Sequence, residues 1–339
     1  MSSSNPKRIL IVRFSSIGDI VLTFPVVAAI KSLFPDCKID YVTKKNFKVL
    51  LEGCPAIDEV FLLEDSLHAL RRKINFAQYD GILDLHNNLR TRLLLGFHMK
   101  RVFRFPKNNL EKWMLTTFKI YPKKRKHVVE RYLSTLSGLE SNWKLETANN
   151  PYTIPSSAQF DIQARFNLVP KSYVAIAIGA QFATKRLPTD MLIALVKKIE
   201  GPVLLLGGKE DQTASNAILD ACQGQHLESA VGLSTIHESA WLVKNARALV
   251  THDTGLMHIG ASFDVPLHVI WGNTIRDFGM YPYRLEQDKV FQYEVSGLSC
   301  RPCSKIGHQS CPKGHFACMR NQDLTVIAAA LNQVSVTPR

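Results

Sequence analysis

The chain has 339 residues, of which 46% are apolar, and carries a formal net charge of +13. That length suits two domains, that apolar content excludes a disordered chain, and the positive excess points to an anionic partner. The longest uncharged apolar run near the N-terminus, Ile20 to Ile30, is shorter than the roughly 20 residues a bilayer span needs. Arg13 and Asp19 interrupt the first apolar segments and no small-residue cleavage site follows, so no signal peptide and a cytoplasmic location are expected.

RILIVRF (8–14) reads as a buried strand, and a helix is expected to leave the turn at Gly18 and Asp19 and run to about Leu33, kinked at Pro25. KIDYV (38–42), EVFLL (59–63) and YDGILDL (79–85) follow as strands, with helical stretches between them. Apolar runs alternating with helices indicate βαβ units and a parallel sheet covered on both faces. Residues 141–170 lack a clean period and are rich in Pro, Ser and Asn, which marks a linker. The pattern then restarts: strands at 173–180, 201–208, 248–253 and 266–272, and helices at 187–200, after Gly208, across TIHESAWLVKNARA, and in TGLMHIGASF. The expected organisation is a first domain over 1–150, a linker over 151–170, a second domain over 171–320, and a C-terminal helix and tail over 321–339. No repeat of 20–50 residues is present, which excludes a solenoid.

The charge is uneven. Residues 1–150 hold 25 Lys and Arg against 14 Asp and Glu, and the rest 17 against 15. Within the first part, residues 97–131 hold 11 basic and 2 acidic residues, interleaved with Phe103, Phe105, Trp113, Phe118 and Tyr121. Such a stretch is either a solvated face or a surface for nucleic acid, phosphate groups or a membrane.

Four turns follow a strand and precede a helix, where free N–H groups favour an anion: SSIGD (15–19), GAQFATKRLP (179–188), GGKEDQ (207–212) and HDTGLMH (252–258). In SSIGD, Asp19 at a helix start is expected to stay ionised and suits a base that takes a proton from a hydroxyl; a plain N-cap fits the same position. Lys185 and Arg186 suit a diphosphate, or an ordinary surface loop. Glu210 and Asp211 suit ribose hydroxyls, or an acidic first turn. Asp253, Thr254 and, one helical turn on, His258 could converge on one polar ligand, with Gly255 giving room; an Asp/Thr cap beside a packed histidine fits equally. No G-x-G-x-x-G follows the first strand and no G-x-x-x-x-G-K-[ST] occurs, which argues against a dinucleotide oxidoreductase and a P-loop NTPase.

Taken in order, these segments resemble family 9 glycosyltransferases, the lipopolysaccharide heptosyltransferase family. RFSSIGDIVLTFPVV is similar to that family's first strand-turn-helix, DLHNNLRTRLLL (84–95) to its acceptor-side segment, ATKRLP to its lysine loop, LLLGGKEDQ to its ribose turn, and THDTGLMHIGAS to its D-T-G-x-x-H donor signature. The resemblance implies a GT-B fold, two Rossmann-like doubly wound parallel-sheet domains facing across a cleft. It implies an inverting, metal-independent transferase that moves a heptose or related sugar from a nucleotide-sugar, ADP-heptose, to a lipopolysaccharide core or lipid-linked acceptor. Asp19 would be the base; Lys185, Asp211, Asp253, Thr254, Gly255 and His258 would bind the donor; Ser16, Gly18, Asn88, Arg90 and Arg92 would lie on the acceptor side. An anionic lipid-linked acceptor would place a monomeric enzyme peripherally at the inner face of the inner membrane, met by the basic first domain, with no cofactor required and no nucleic acid bound. His252 receives no role. A silent nucleotide-sugar-binding scaffold and a basic nucleic-acid-binding protein remain the competing readings.

Seven cysteines are present. Cys37, Cys54 and Cys222 are isolated and read as packing residues. Cys300, Cys303, Cys311 and Cys318, with His308 and His315 nearby, fit either a structural zinc site or reduced packing cysteines.

Overall fold

The computed structural model describes residues 5–96, 101–120, 126–140, 150–284 and 286–333. The chain divides into two compact units: Met1–Asn108 with Lys126–Thr153 and Tyr283–Leu285, and Asn109–Arg125 with Ile154–Pro282 and Glu286–Arg339.

The first unit is built on five strands, β1 (Arg8–Val12), β2 (Lys38–Lys44), β3 (Glu59–Leu63), β4 (Gly81–Asp84) and β5 (Val102–Arg104), in the order β3-β2-β1-β4-β5. All neighbours are parallel. Central β1 is buried on both faces, which explains its unbroken apolar run. Its register pairs Val12 with Val42 and with Asp84, so the turns after β1 and β4 leave the same edge side by side.

The helix expected from Gly18 to Leu33 is two helices, α1 (Ile17–Val21) and α2 (Phe24–Leu33), broken at Leu22 and Thr23. Pro25 therefore sits in the first turn of α2, where a missing N–H costs nothing, and the kink expected there is a helix start. Thr23 closes the break: its hydroxyl donates to the Ile20 carbonyl at 2.6 Å and lies 2.9 Å from the Tyr41 hydroxyl.

The second unit holds six parallel strands, β6 (Val174–Ala177), β7 (Val203–Leu206), β8 (Leu227–Ser229), β9 (Ala248–His252), β10 (Leu267–Trp271) and β11 (Val290–Glu294), in the order β11-β10-β9-β6-β7-β8. Pairing of Ile176 with Val250 and of His252 with Ile270 brings the ends of β6, β9 and β10 level. The core joins strands β6, β7 and β9 to helix Thr189–Val196 and to the C-terminal helix Leu324–Asn332, through Ile327, Ala328 and Leu331.

Residues 154–170, expected to be linker, belong to this unit. They carry helix Ile162–Phe166, and Arg165 pairs with Glu238 at 2.6 Å while the Phe160 carbonyl accepts the Trp241 indole N–H at 2.9 Å. These bonds to a helix 70 residues on leave no period in the segment itself. Helix Asn109–Phe118, in the middle of the first domain by sequence, also belongs to the second unit. Among the described residues, no helix is long and apolar enough to cross a membrane.

Candidate functional site

In the first unit the SSIGD turn emerges from β1 and places Asp19 third in α1. Its Oδ2 accepts from the Ser16 hydroxyl at 2.9 Å and the Ser16 N–H at 3.3 Å, so Asp19 does act as a capping partner. The same oxygen lies 2.7 Å from the Arg13 guanidinium, and the carboxylate keeps 21% exposure. Arg13, which sequence reasoning did not single out, is buried and also donates to the carbonyls of Ser15 and Leu85 at 2.6 and 2.7 Å. It thus ties the turn after β1 to the turn after β4 and fixes the carboxylate between them. The signal was present in the sequence: an arginine ending a buried strand needs a buried acceptor set.

The acceptor-side candidates separate. Gly18 is buried within α1, whereas Ser16 is exposed. Asn88 is spent as the cap of helix Leu89–Leu95, its Oδ1 accepting from Thr91 N–H at 3.0 Å. Arg90 and Arg92 are both exposed, two residues apart on that helix, so they leave different faces; Arg92 reaches Asn87 at 3.5 Å. Asp84, fully buried, organises this turn by accepting from Asn87 N–H at 2.6 Å and from the Thr91 hydroxyl at 2.9 Å. Beside it, burial together with Arg13 and Lys107 pushes the His86 imidazole down to about 3, so it is neutral at physiological pH. Burial and the charge of Arg13 also lower the Lys107 ammonium. The region is a polar shelf with cations crowded around two carboxylates.

In the second unit the turns after β6, β7, β9 and β10 bring together residues far apart in sequence. Lys185 Nζ lies 2.6 Å from Asp253 Oδ2, which also accepts from the Thr274 hydroxyl at 2.9 Å. Burial opposes the charge on Asp253, but Lys185, His258 and Thr274 outweigh it and hold the carboxyl below the usual range. Thr254 and Gly255 open helix Gly255–Gly260, and His258 is buried on it close to Asp253. Lys185, Asp253, Thr254, Gly255 and His258 therefore form one cluster.

Asp211 does not present itself as the sequence suggested. It is 4% exposed, its Oδ2 accepts from Gly208 N–H at 3.0 Å and its Oδ1 from Arg186 at 3.2 Å. It is packed so tightly under β6 that a side chain on Gly179 would meet its carboxylate at 2.0 Å. Burial raises its pKa. The carboxylate this turn exposes is Glu210.

His252 has a structural task. Its Nε2 accepts from Leu187 N–H at 3.0 Å, which requires a neutral ring and holds the lysine loop against β9. Burial lowers its pKa to about 4, consistent with that state.

The cysteine-rich segment braces the same cluster. Arg301 donates to the carbonyls of Gly272 and Thr274 at 2.7 and 3.0 Å, and His308 N–H donates to the Thr184 hydroxyl at 2.8 Å. One segment thus holds both the loop of Lys185 and the support of Asp253. All four cysteines are free, and burial pushes the Cys318 thiol up to about 11. Among the described residues no group of three or more His, Cys, Asp or Glu is arranged to hold a metal ion, although the four cysteines lie within electrostatic reach of one another, Cys318 feeling Cys300, Cys303 and Cys311. Cys300 also faces His315 at 3.8 Å.

The sequence model of the family described as "Glycosyltransferase family 9 (heptosyltransferase)" matches residues 67–309. The chain is 25% identical over 290 residues to lipooligosaccharide heptosyltransferase 2 of Haemophilus influenzae, spanning 79% of this chain and 84% of that one. It is 24% identical over 275 residues to lipopolysaccharide heptosyltransferase 3 of Escherichia coli, spanning 76% and 81%. The solved structure of E. coli ADP-heptose lps heptosyltransferase II superposes with a TM-score of 0.68 at 20% identity, covering 95% of this chain and 99% of that one. The two parallel-sheet units are therefore those of a GT-B fold, and the chain, matched by the family model over most of its length, belongs to glycosyltransferase family 9.

Proposed function

We propose that this glycosyltransferase moves a heptose from ADP-heptose to a saccharide of a lipopolysaccharide core, with inversion at the anomeric carbon. The observation that carries the reading is Asp19: in a member of this family, a partly exposed carboxylate is fixed just past the end of the central strand β1 by Arg13 and Ser16. In this reading an acceptor hydroxyl attacks the anomeric carbon, its proton passes to the Asp19 carboxylate, and the bond to the diphosphate breaks with its electron pair leaving on ADP. A positioned base of this kind contributes about 10²–10⁴-fold. The leaving diphosphate carries growing negative charge, which Lys185 meets once the donor competes with Asp253 for its ammonium. Ribose hydroxyls are assigned to the GGKEDQ turn, with Glu210 as the exposed acceptor and Asp211 holding the turn's shape. No metal ion is given a step. The lipid-linked acceptor is met at the inner surface of the inner membrane, by a monomer.

A thermal-shift screen with ADP, UDP, GDP and CDP tests the donor. Stabilisation by ADP above the other three supports the reading; no response to any nucleotide overturns it. A silent scaffold would respond to ADP yet show no transfer from ADP-heptose.

A further inference from the structure

Helix Asn109–Phe118 is turned opposite to a solvated basic helix. Its lysines face the protein: Lys119 Nζ donates to the carbonyls of Thr116 and Pro302 at 2.7 and 2.6 Å, and Lys112 Nζ lies 5.7 Å from the Phe278 ring centre. Between them Leu115 is fully buried against Ile275 and Phe278. The outward side is apolar. Leu110, Trp113 and Phe118 are 68%, 47% and 58% exposed, and Ile120 just past the helix is 55% exposed. Positions 110, 113, 117 and 118 share one face at helical spacing. Trp113 and Phe118 meet edge to face at 5.3 Å, so two aromatic rings are held together on the surface. A second apolar point is close by: Ile306 is 61% exposed, and its neighbour Lys305 donates to the Asn109 carbonyl at 3.4 Å.

We propose that this face is a membrane-interface anchor that seats Leu110, Trp113, Phe118 and Ile120 among the headgroups of an anionic bilayer. The inference rests on the lipid-linked acceptor proposed above and names the surface that would meet its membrane. Three observations select this occupant. Apolar and aromatic side chains on one face of a surface helix are the pattern of a helix lying in a lipid interface. The sequence flanking the helix supplies further cations, Lys107 before it and Lys123, Lys124, Arg125 and Lys126 after it, which complement an anionic surface and add roughly 1 kcal/mol per cation near it. That same charge opposes a second copy, because symmetric pairing would set two basic flanks against each other. Nucleic acid is disfavoured by the orientation, since the lysines of the helix that would meet phosphates are committed to carbonyls and a ring.

The test is vesicle flotation of the full chain, with phosphatidylcholine alone and mixed with phosphatidylglycerol. Expected is flotation with the mixed vesicles and at least about a tenfold weaker partition for Leu110→Ser/Trp113→Ser/Phe118→Ser, because each lost apolar contact weakens interfacial binding. The variant should keep its melting temperature and its rate on a delipidated, soluble acceptor. If it melts early, Ile306→Ser with Ile120→Ser serves instead, since both lie outside the helix. Equal flotation of variant and parent overturns the proposal, as does loss of the exposed face to a salt-stable dimer or to RNA. Flotation without any sugar transfer would count against the transferase reading and leave the anchor standing.

Discussion

The turn after β1 and the turn after β9 place a carboxylate in similar positions, at the end of a central parallel strand before a short helix. They stabilise it differently. Asp19 takes its cation from Arg13, six residues earlier and at the end of the same strand. Asp253 takes its cation from Lys185, on the loop of a neighbouring strand 68 residues away. The first carboxylate is held by the arginine of its own strand, itself anchored on the carbonyls of Ser15 and Leu85. The second is one half of a clasp: its partner can leave it for a competing anion, while the loop that carries the partner stays held by His252 and by His308. A base should be fixed before substrate arrives, and a ligand-binding cation should be exchangeable. The two turns have those two designs.

The largest effect that would break this comparison is at Asp19 itself. Asp19→Asn keeps the shape and the Ser16 contacts but removes the proton acceptor. Transfer should fall by about 10³-fold, within the range of lost general-base catalysis. ADP-induced stabilisation should be unchanged. Measuring both in one preparation separates chemistry from donor binding, and retained transfer would end the general-base assignment.

Arg13 comes next. Arg13→Met leaves the carbonyls of Ser15 and Leu85 and a partly buried carboxylate without their donor, which for a broken buried pair costs about 3–5 kcal/mol. Chemical denaturation should show that loss. Arg13→Lys should recover part of the stability but less of the transfer rate, because an ammonium cannot reproduce the three-way fork. Equal recovery of both would make Arg13 a purely structural residue.

His252 gives a pH test of the second turn. Its folded pKa, about 4, lies below the ordinary histidine value, so the unfolded chain binds the proton more readily. Stability from this group is full above about pH 6.5 and is lost as pH falls toward about 4, by at most about 3 kcal/mol. His252→Asn should be less stable at neutral pH and show a shallower decline over that window by thermal melts at a series of pH values. His268, likewise buried and lowered to about 4, gives the wild type a parallel decline that the variant retains.

The legibility of these features follows the distance to their partners. Strand β3, only partly buried at the sheet's edge, is predicted and found at the same residues, because a short run of β-prone apolar residues is a local signal. The sequence alone does not separate a kink at Pro25 from a new helix start, because a proline marks either one, and the bond from Thr23 to Tyr41 that closes the break reaches 18 residues on, to β2. Asp253 was legible from D-T-G-x-x-H, but not its bond to Thr274, nor the bracing by Arg301 from a segment that read only as cysteine-rich. Asp211 and Glu210 are adjacent, and no spacing rule tells which one the turn buries. Helix Asn109–Phe118 read as basic from its neighbourhood; which face its lysines take depends on Phe278 and the Pro302 carbonyl, more than 150 residues on.

The smallest effect tests the clasp as a pair. Lys185→Met removes the exchangeable cation and should weaken ADP binding by about tenfold to a hundredfold, as loss of one charge-assisted contact does. Asp253→Asn alone should have a milder consequence for ADP, since it frees Lys185 while loosening the support from Thr274. The double variant then decides between two arrangements. If Lys185 serves only as the partner of Asp253, removing both should restore most of the stability lost by either, with a coupling of about 1–2 kcal/mol in thermal melts, and bring ADP affinity back to nearly that of the parent. If Lys185 instead exchanges Asp253 for the diphosphate, stability couples in the same way but ADP affinity stays at the level of Lys185→Met, because no second residue replaces the lost ammonium. Only the second outcome keeps the contrast with Asp19, whose cation must never leave.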